Sequence, residues 1–336
     1  MTTWLRHHRM AALGVLLLAV VLAACASIAF GARVVSLAEI VQGLRDGGDG
    51  AGLGAVAVAE RLPRTATALV AGAALGVSGT LMQALTRNPI ADPGILGINT
   101  GASLAMVTVI AFAGITTLPQ YLWTALIGAG LTAVFVYLVG SLGPGGATPV
   151  KLALAGVAAT AALSSLISAV MLPRAAALTD FRFWQVGSLG RGTWQSLATV
   201  APFLLVGALL ALVVASPLNS LALGDEMAVG LGVHVARPRV LAAAGGVVLG
   251  AATTARAGPI GFVGLMVPHA VRMVIGADNR WVLPASALGG AALLTAADVV
   301  GRVIARPAEV SVGVVTAFIG APVLILIARG TKVGQL

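Results

Sequence analysis

The sequence predicts an all-α, polytopic membrane protein of about ten transmembrane helices. Of its 336 residues, 59% are hydrophobic and only 9% charged, against about 25% charged in a soluble domain. The mean hydropathy is +1.02. Residues 65–86 form a run of 22 uncharged residues, with Arg61 and Arg64 just before it and Arg87 just after. As a helix rising 1.5 Å per residue, that run covers ~33 Å, about one bilayer core.

Glycine is abundant (43 residues) and aromatic residues make up only 4%. Small residues let helices approach closely in lipid, where apolar burial no longer drives them together. The spans are expected at about 10–30, 65–86, 94–113, 119–140, 150–172, 194–215, 240–255, 260–275, 281–300 and 310–328, all in one unit over 1–336. The first follows Arg6, His7, His8 and Arg9 and ends in Leu22-Ala23-Ala24-Cys25. That ending resembles a lipoprotein-type cleavage site, but a chain with many further spans inserts without one, so it is read as a coincidence of composition. The polar segment 31–60 carries Arg33, Glu39, Arg45, Asp46, Asp49 and Glu60, with a short amphipathic helix expected at 36–44. No charge occurs between Pro93 and Val150, a stretch too long for one crossing, and it divides at Gly114–Pro119 and Ser141–Pro149. A second connection, 173–193, is rich in Arg and Trp and is expected to hold a short interfacial helix. A second polar island occupies 216–238. The spans at 240–255 and 260–275 are short, divided only by Arg256 and Gly258-Pro259.

Ten spans put both termini on one side. The basic residues do not choose that side: placing the termini in the cytoplasm leaves ten of the 20 Lys and Arg residues inside and ten outside, a tie under the positive-inside rule. A faint inverted repeat is visible. Arg61-Leu-Pro-Arg64 opens the second span and Arg237-Pro-Arg239 the seventh; Gly94-Ile-Leu-Gly97 and Gly261-Phe-Val-Gly264 follow in corresponding places, as in many transporters. The net charge of +9 fits membrane topology and anionic headgroups, with no nucleic acid implied.

Several chemistries are absent. A phosphate-binding loop needs Gly-Lys, and neither lysine, Lys151 or Lys332, follows a glycine. The lone cysteine, Cys25, excludes an intrachain disulfide and a cysteine-based metal site, and no carboxylate cluster points to a metal. His269, after Pro268, reads as a structural histidine near a helix kink. Pumps and proton-coupled carriers bury ionisable groups along their path. Here only Asp298 is a candidate, and it reads as a helix-end residue paired with Arg302. The chain looks like a conduit whose engine lies elsewhere.

Long, ordered motifs then carry a resemblance. Arg61-Leu-Pro-Arg64, Gly72-Ala-Ala-Leu75, Ser78-Gly79, Gln83, Arg87-Asn88-Pro89-Ile-Ala91, Pro93-Gly-Ile-Leu-Gly97 and Gly101-Ala102 open the chain's match. Gly258-Pro-Ile-Gly-Phe-Val-Gly-Leu265, Pro268-His269, Arg272, Ala297-Asp298, Arg302, Gly313-Val-Val-Thr316 and Gly320-Ala-Pro322 continue it. Over about residues 11–330 the chain resembles the permease family of ABC importers for ferric siderophores, haem and cobalamin. The resemblance implies ten helices per subunit, both termini cytoplasmic, and location in the bacterial cytoplasmic membrane. Its implied partners are a second copy or a related permease, an ABC ATPase dimer inside, a substrate-binding protein outside, and membrane lipid. ATP and magnesium would be bound by the ATPase, with no cofactor in this chain. A ferric siderophore is the expected cargo, with haem or cobalamin as alternatives.

The resemblance also implies site residues. Arg61, Arg64 and Arg302 would receive carboxylates of the docking protein, with Arg306 as an extra. Gly224, Asp225, Glu226, Ala228, Leu231 and Gly232 match the loop that seats in the ATPase. Gln83, Arg87, Asn88 and Pro89 form a tight inside turn of structural purpose. Two readings from other classes stand beside this one: a secondary transporter driven by an ion gradient, and a membrane scaffold that carries nothing.

Overall fold

A computed structural model describes residues 2–46, 52–89, 91–143, 148–173, 181–182, 184–190 and 192–330. The described residues are helical throughout their ordered elements. In chain order they are α1 (Thr2–Ala29), α2 (Leu37–Asp46), α3 (Leu53–Thr86), a 3-10 turn (Pro93–Leu96), α4 (Ile98–Ala113), α5 (Leu118–Ser141), α6 (Pro149–Met171), α7 (Trp194–Leu221), α8 (Asp225–Gly230), α9 (Ala236–Ala257), α10 (Val263–Ile275), α11 (Asn279–Ile304) and α12 (Val312–Gly330). Seven are long and apolar enough to cross a membrane, namely α1, α3, α5, α6, α7, α9 and α11, and α4, α10 and α12 are shorter apolar helices. These are the apolar segments read from the sequence, and the chain is a multi-pass membrane protein.

The edges differ in informative ways. The second span was read from Thr65, but α3 begins at Leu53 and carries Glu60, Arg61, Pro63 and Arg64 inside the helix. α3 therefore extends well beyond its uncharged run, and its polar first turns stand above the apolar part. α7 continues to Leu221 and α9 begins at Ala236, so the polar island narrows to residues 222–235. The expected surface helix is α2, capped by Ser36 and Glu39: Ser36 N donates to Glu39 Oε2 (2.7 Å) and Glu39 N to Ser36 Oγ (3.3 Å). The interfacial helix expected in 173–193 falls largely outside the described residues.

α3 and α9 form the centre. In the most apolar 18-residue stretch of each, 67% of the residues are buried, against 11% for α1. One apolar cluster joins α3, α4, α5, α7 and α9 through Leu81, Met106, Leu122, Leu218 and Leu249. A second joins α3 to α10 and α11 through Leu75, Val267 and Leu294. Backbones meet where glycines face each other: a Cβ on Gly72 or Gly79 would be driven into the carbonyl of Gly290 or Gly264 respectively. Contact at that range, rather than apolar burial, is what holds helices together in lipid. Several hydroxyls inside the bundle are satisfied locally: Thr80 Oγ1 donates to Gly76 O (2.9 Å) and Thr253 Oγ1 to Leu249 O (2.8 Å), as is common for membrane helices. Ser78 Oγ donates across to Gly246 O of α9 (2.7 Å).

The bundle has two polar ends. One gathers the ends of α1 and α11 with the start of α3; the other gathers the end of α3, α8 and the start of α9. α1 starts at the α8 end, where Arg9 Nε donates to Ile275 O (3.1 Å). α12 starts at the opposite end, where Gly313 N donates to Gly187 O (3.2 Å), so its far end returns toward α8.

Candidate functional site

At the end away from α8, three helices, α1, α3 and α11, and the connection after α11 converge on a chain of charges. Arg64 reaches across from α3 to Asp298 of α11, with Nη2 to Oδ1 at 2.9 Å and Nε to Oδ2 at 3.1 Å. Asp298 also holds Arg302 one turn on, at 3.1 Å, so the expected Asp298–Arg302 pair is present and Arg64 joins it. Arg64 Nη1 goes on to Glu309 Oε2 at 2.8 Å. Asp298 is the carboxylate and Arg64 and Arg302 the guanidiniums of a largely buried triad; such a network is costly to break once formed.

The arginines differ in access. Arg61 is 6% exposed and Arg302 1%. Arg61 donates to Ile28 O (2.9 Å), Ala29 O (3.0 Å) and Arg33 O (2.6 Å). Arg302 donates to Ser27 O (3.0 Å) and Ser27 Oγ (2.6 Å), and Ser27 Oγ in turn pairs with Thr65 Oγ1 (2.6 Å). Both guanidiniums thus satisfy carbonyls at the end of α1 that have no partner within that helix, where positive charge also meets the negative end of the helix dipole. Arg64 is the member near the surface, its side chain 13% exposed, beside the exposed Glu309 at 38%. Arg306 is exposed at the same rim and donates to Gly31 O (2.8 Å).

At the other end, α3 stops at Thr86 and Arg87 takes a left-handed backbone, φ 50°, with its N–H returning to Gln83 O. Asn88 N bonds the same carbonyl (3.2 Å), and Pro89 cannot extend the helix. Gln83 does more than turn the chain. Its Nε2 donates to Leu265 O (3.1 Å), and Arg272 Nη1 donates to its Oε1, which ties α3 to α10. The Arg87 side chain pairs with Asp225, the first residue of α8. Arg239 of α9 holds the same carboxylate through Nη2, at 2.8 and 2.9 Å. Burial works to raise the Asp225 pKa, but the two guanidiniums outweigh it and hold the pKa below the ordinary carboxylate value. The contact is therefore present above the ordinary carboxylate pKa and is lost only as pH falls through the lowered one.

α8 is hinged by glycines at both sides, Gly224 at φ 111° and Gly232 at φ 77°, a backbone that favours glycine. Ala228 is fully buried beneath it, while Leu223, Met227, Val229 and Leu231 are all at least 60% exposed. Glu226 stands in its first turn beside Asp225. An apolar knob on an exposed polar loop is the profile of a surface made to be covered.

The sequence places Arg87 in a structural turn, Asp225 in a separate loop and Arg239 in the repeat; the fold pairs Arg87 with Asp225 directly and brings Arg239 to the same carboxylate. Both charges lay on the same side in the ten-span count, and that was the signal available. Arg272 and Glu309 were also missed as members of these networks. Among the described residues no group of three or more His, Cys, Asp or Glu could hold a metal ion.

Known proteins resemble this chain closely. Residues 17–330 match the family model of the FecCD transport family. The chain is 47% identical over 269 residues to the ferric enterobactin transport system permease protein FepD of Escherichia coli K12, covering 80% of each. It is 45% identical over 273 residues to the Fe(3+)-citrate import system permease protein YfmD of Bacillus subtilis, again 80% of each. A solved metal-chelate type ABC transporter in an inward-facing conformation superimposes with a TM-score of 0.82 at 28% identity, covering 96% of this chain and 100% of the other. By a family match that spans nearly its whole length, this chain belongs to the FecCD transport family.

Proposed function

We propose that this chain is the membrane permease of an ATP-driven importer that carries a ferric siderophore across the bacterial cytoplasmic membrane. The observation that carries this reading is the identity of 45–47% over most of the chain to permeases named for ferric enterobactin and Fe(3+)-citrate. An ABC ATPase dimer seats on the α8 face, which puts both termini in the cytoplasm. An extracytoplasmic binding protein docks on the Arg61, Arg64 and Arg302 end, and a second copy or a related permease completes the path. Two features support the assignment of ends. The exposed apolar knob of Met227, Val229 and Leu231 suits a cleft in a partner. The arginine end offers bidentate donors to carboxylates, with Arg64 presented to the docking protein and Arg61 and Arg302 fixing the frame on which it stands.

Reconstitution of the chain with an ATPase and a binding protein in vesicles tests the reading. Ferric siderophore uptake that requires ATP and stops with vanadate is the expected result. Uptake that follows only an ion gradient, or no uptake of any iron chelate, would overturn it. A second reading, haem or cobalamin as cargo, is favoured by relatives named as hemin and cobalamin permeases at 40% and 38% identity. Binding of the three chelates to the partner binding protein separates these cargoes.

A further inference from the structure

A cavity of about 530 Å³ opens between α5, α7 and α9. It runs along α5 from Trp123 through Gly130 to Tyr137, about 21 Å at 1.5 Å per residue. Phe203 of α7 closes the far end, edge-to-face on Trp123 at 5.4 Å. Among the described lining residues, the side chains with a charge or a hydroxyl are Tyr137 and Arg239, and both stand at the α8 end. This space lies within membrane-spanning helices, so the medium beside it is lipid.

The α8 end is built to receive an anion. Arg239 gives only Nη2 to Asp225, and its Nε and Nη1 have no bond among the described residues; the Tyr137 hydroxyl likewise has none. Two guanidiniums, of Arg87 and Arg239, face one carboxylate, of Asp225, so the cluster keeps one positive charge in excess. A charged fork at headgroup depth above an apolar slot longer than one leaflet, ~15 Å, matches a single class of molecule.

We propose that this cavity is a binding site for an anionic phospholipid of the leaflet on the α8 side. One acyl chain lies along α5 toward Trp123, and the phosphate meets Arg239 and Tyr137. The same guanidinium holds Asp225 at the start of α8, so the lipid acts on the residues that position that helix. The site stands on the geometry of the cavity and not on the transport reading; it can be measured with no ATPase or chelate present.

The test uses the purified full chain in detergent, with native mass spectrometry after addition of phosphatidylglycerol or phosphatidylcholine. One phosphatidylglycerol per chain is expected to remain bound, with at least tenfold preference over phosphatidylcholine. Gly130 lines the slot and a Cβ there meets nothing within 4 Å, so Gly130→Phe is expected to occupy the slot and abolish retention. Arg239→Gln is expected to keep a bound lipid but lose the preference. Independently, phosphatidylglycerol brominated in its acyl chain should quench fluorescence that Trp123→Phe removes. Equal retention of the two lipids by the unaltered chain, undiminished retention in Gly130→Phe, or no quenching at Trp123 would overturn the proposal. So would a cross-link at Gly130 to a second copy, which would make the occupant protein rather than lipid.

Discussion

Glu309 is the residue with the sharpest consequence. It is half in water and takes one arm of Arg64, the arginine nearest the surface. In the proposed docking, an incoming carboxylate would share Arg64 with Glu309 or displace it. Glu309→Gln removes the competing charge while keeping the shape, so binding-protein affinity should rise severalfold, since an exposed ion pair is worth about 1 kcal/mol or less. Titration of the docked complex at fixed salt checks this, and unchanged or weaker binding would detach Glu309 from the interface. Arg302 behaves differently because it is buried and joins α11 to the end of α1. Arg302→Ala should cost ~3 kcal/mol, the scale for opening a buried ionic network, seen as a lowered melting temperature in detergent before any partner is added. For the same reason Arg61→Glu would disturb the end of α1, so docking is cleanly tested with Arg64 alone.

Among the elements, the crossing of α3 with α10 depends on the absence of a side chain at Gly79. Gly79→Leu would force the side chain into Gly264 O, and overpacking of that kind costs about 1–3 kcal/mol. The expected result is a clear fall in thermal stability, whereas Gly130→Ala, where a Cβ meets nothing, should leave it unchanged or raise it slightly, since alanine is the better helix former. Equal falls in the two variants would detach the loss from the contact with Gly264. The apolar elements were legible in the sequence because lipid demands long uncharged runs, and residues 65–86 show this plainly. The true start of α3 at Leu53 was not legible. Hydropathy falls at Glu60, Arg61 and Arg64, yet helical bonding continues: Arg61 bonds to α1 and Arg64 to α11 rather than to water, and only Glu60 stays exposed. The Asp298–Arg302 pair, four residues apart on one helix, was readable from spacing. The Arg64–Asp298 and Arg239–Asp225 contacts, which link separate helices, were not, because pairing across a bundle follows from packing.

At the scale of the molecule, α3 carries charge networks at both of its ends. Arg61 and Arg64 sit in its outer turns and Arg87 caps its other end against Asp225. Between them it is locked to α11 and α10 at Gly72, Gly76 and Gly79 with backbones in contact. A close-packed rod of that kind shifts as a body rather than bending locally, because interiors are dense and transmit displacement. A partner that moves Arg64 therefore moves Arg87, and with it the first residue of α8. Docking of the binding protein should change hydrogen exchange across residues 224–235, some 35 Å along α3 from Arg64. Asp225→Asn provides the control. It removes the charge that Arg87 and Arg239 hold, so exchange in 224–235 should be faster at rest and should no longer respond to docking. Exchange that is unchanged by docking in the unaltered chain would show that the two ends are energetically separate. A response that persists in Asp225→Asn would route the signal around α3, through the α11 and α7 contact at Asp278 and Asn219, whose side chains meet at 2.7 Å.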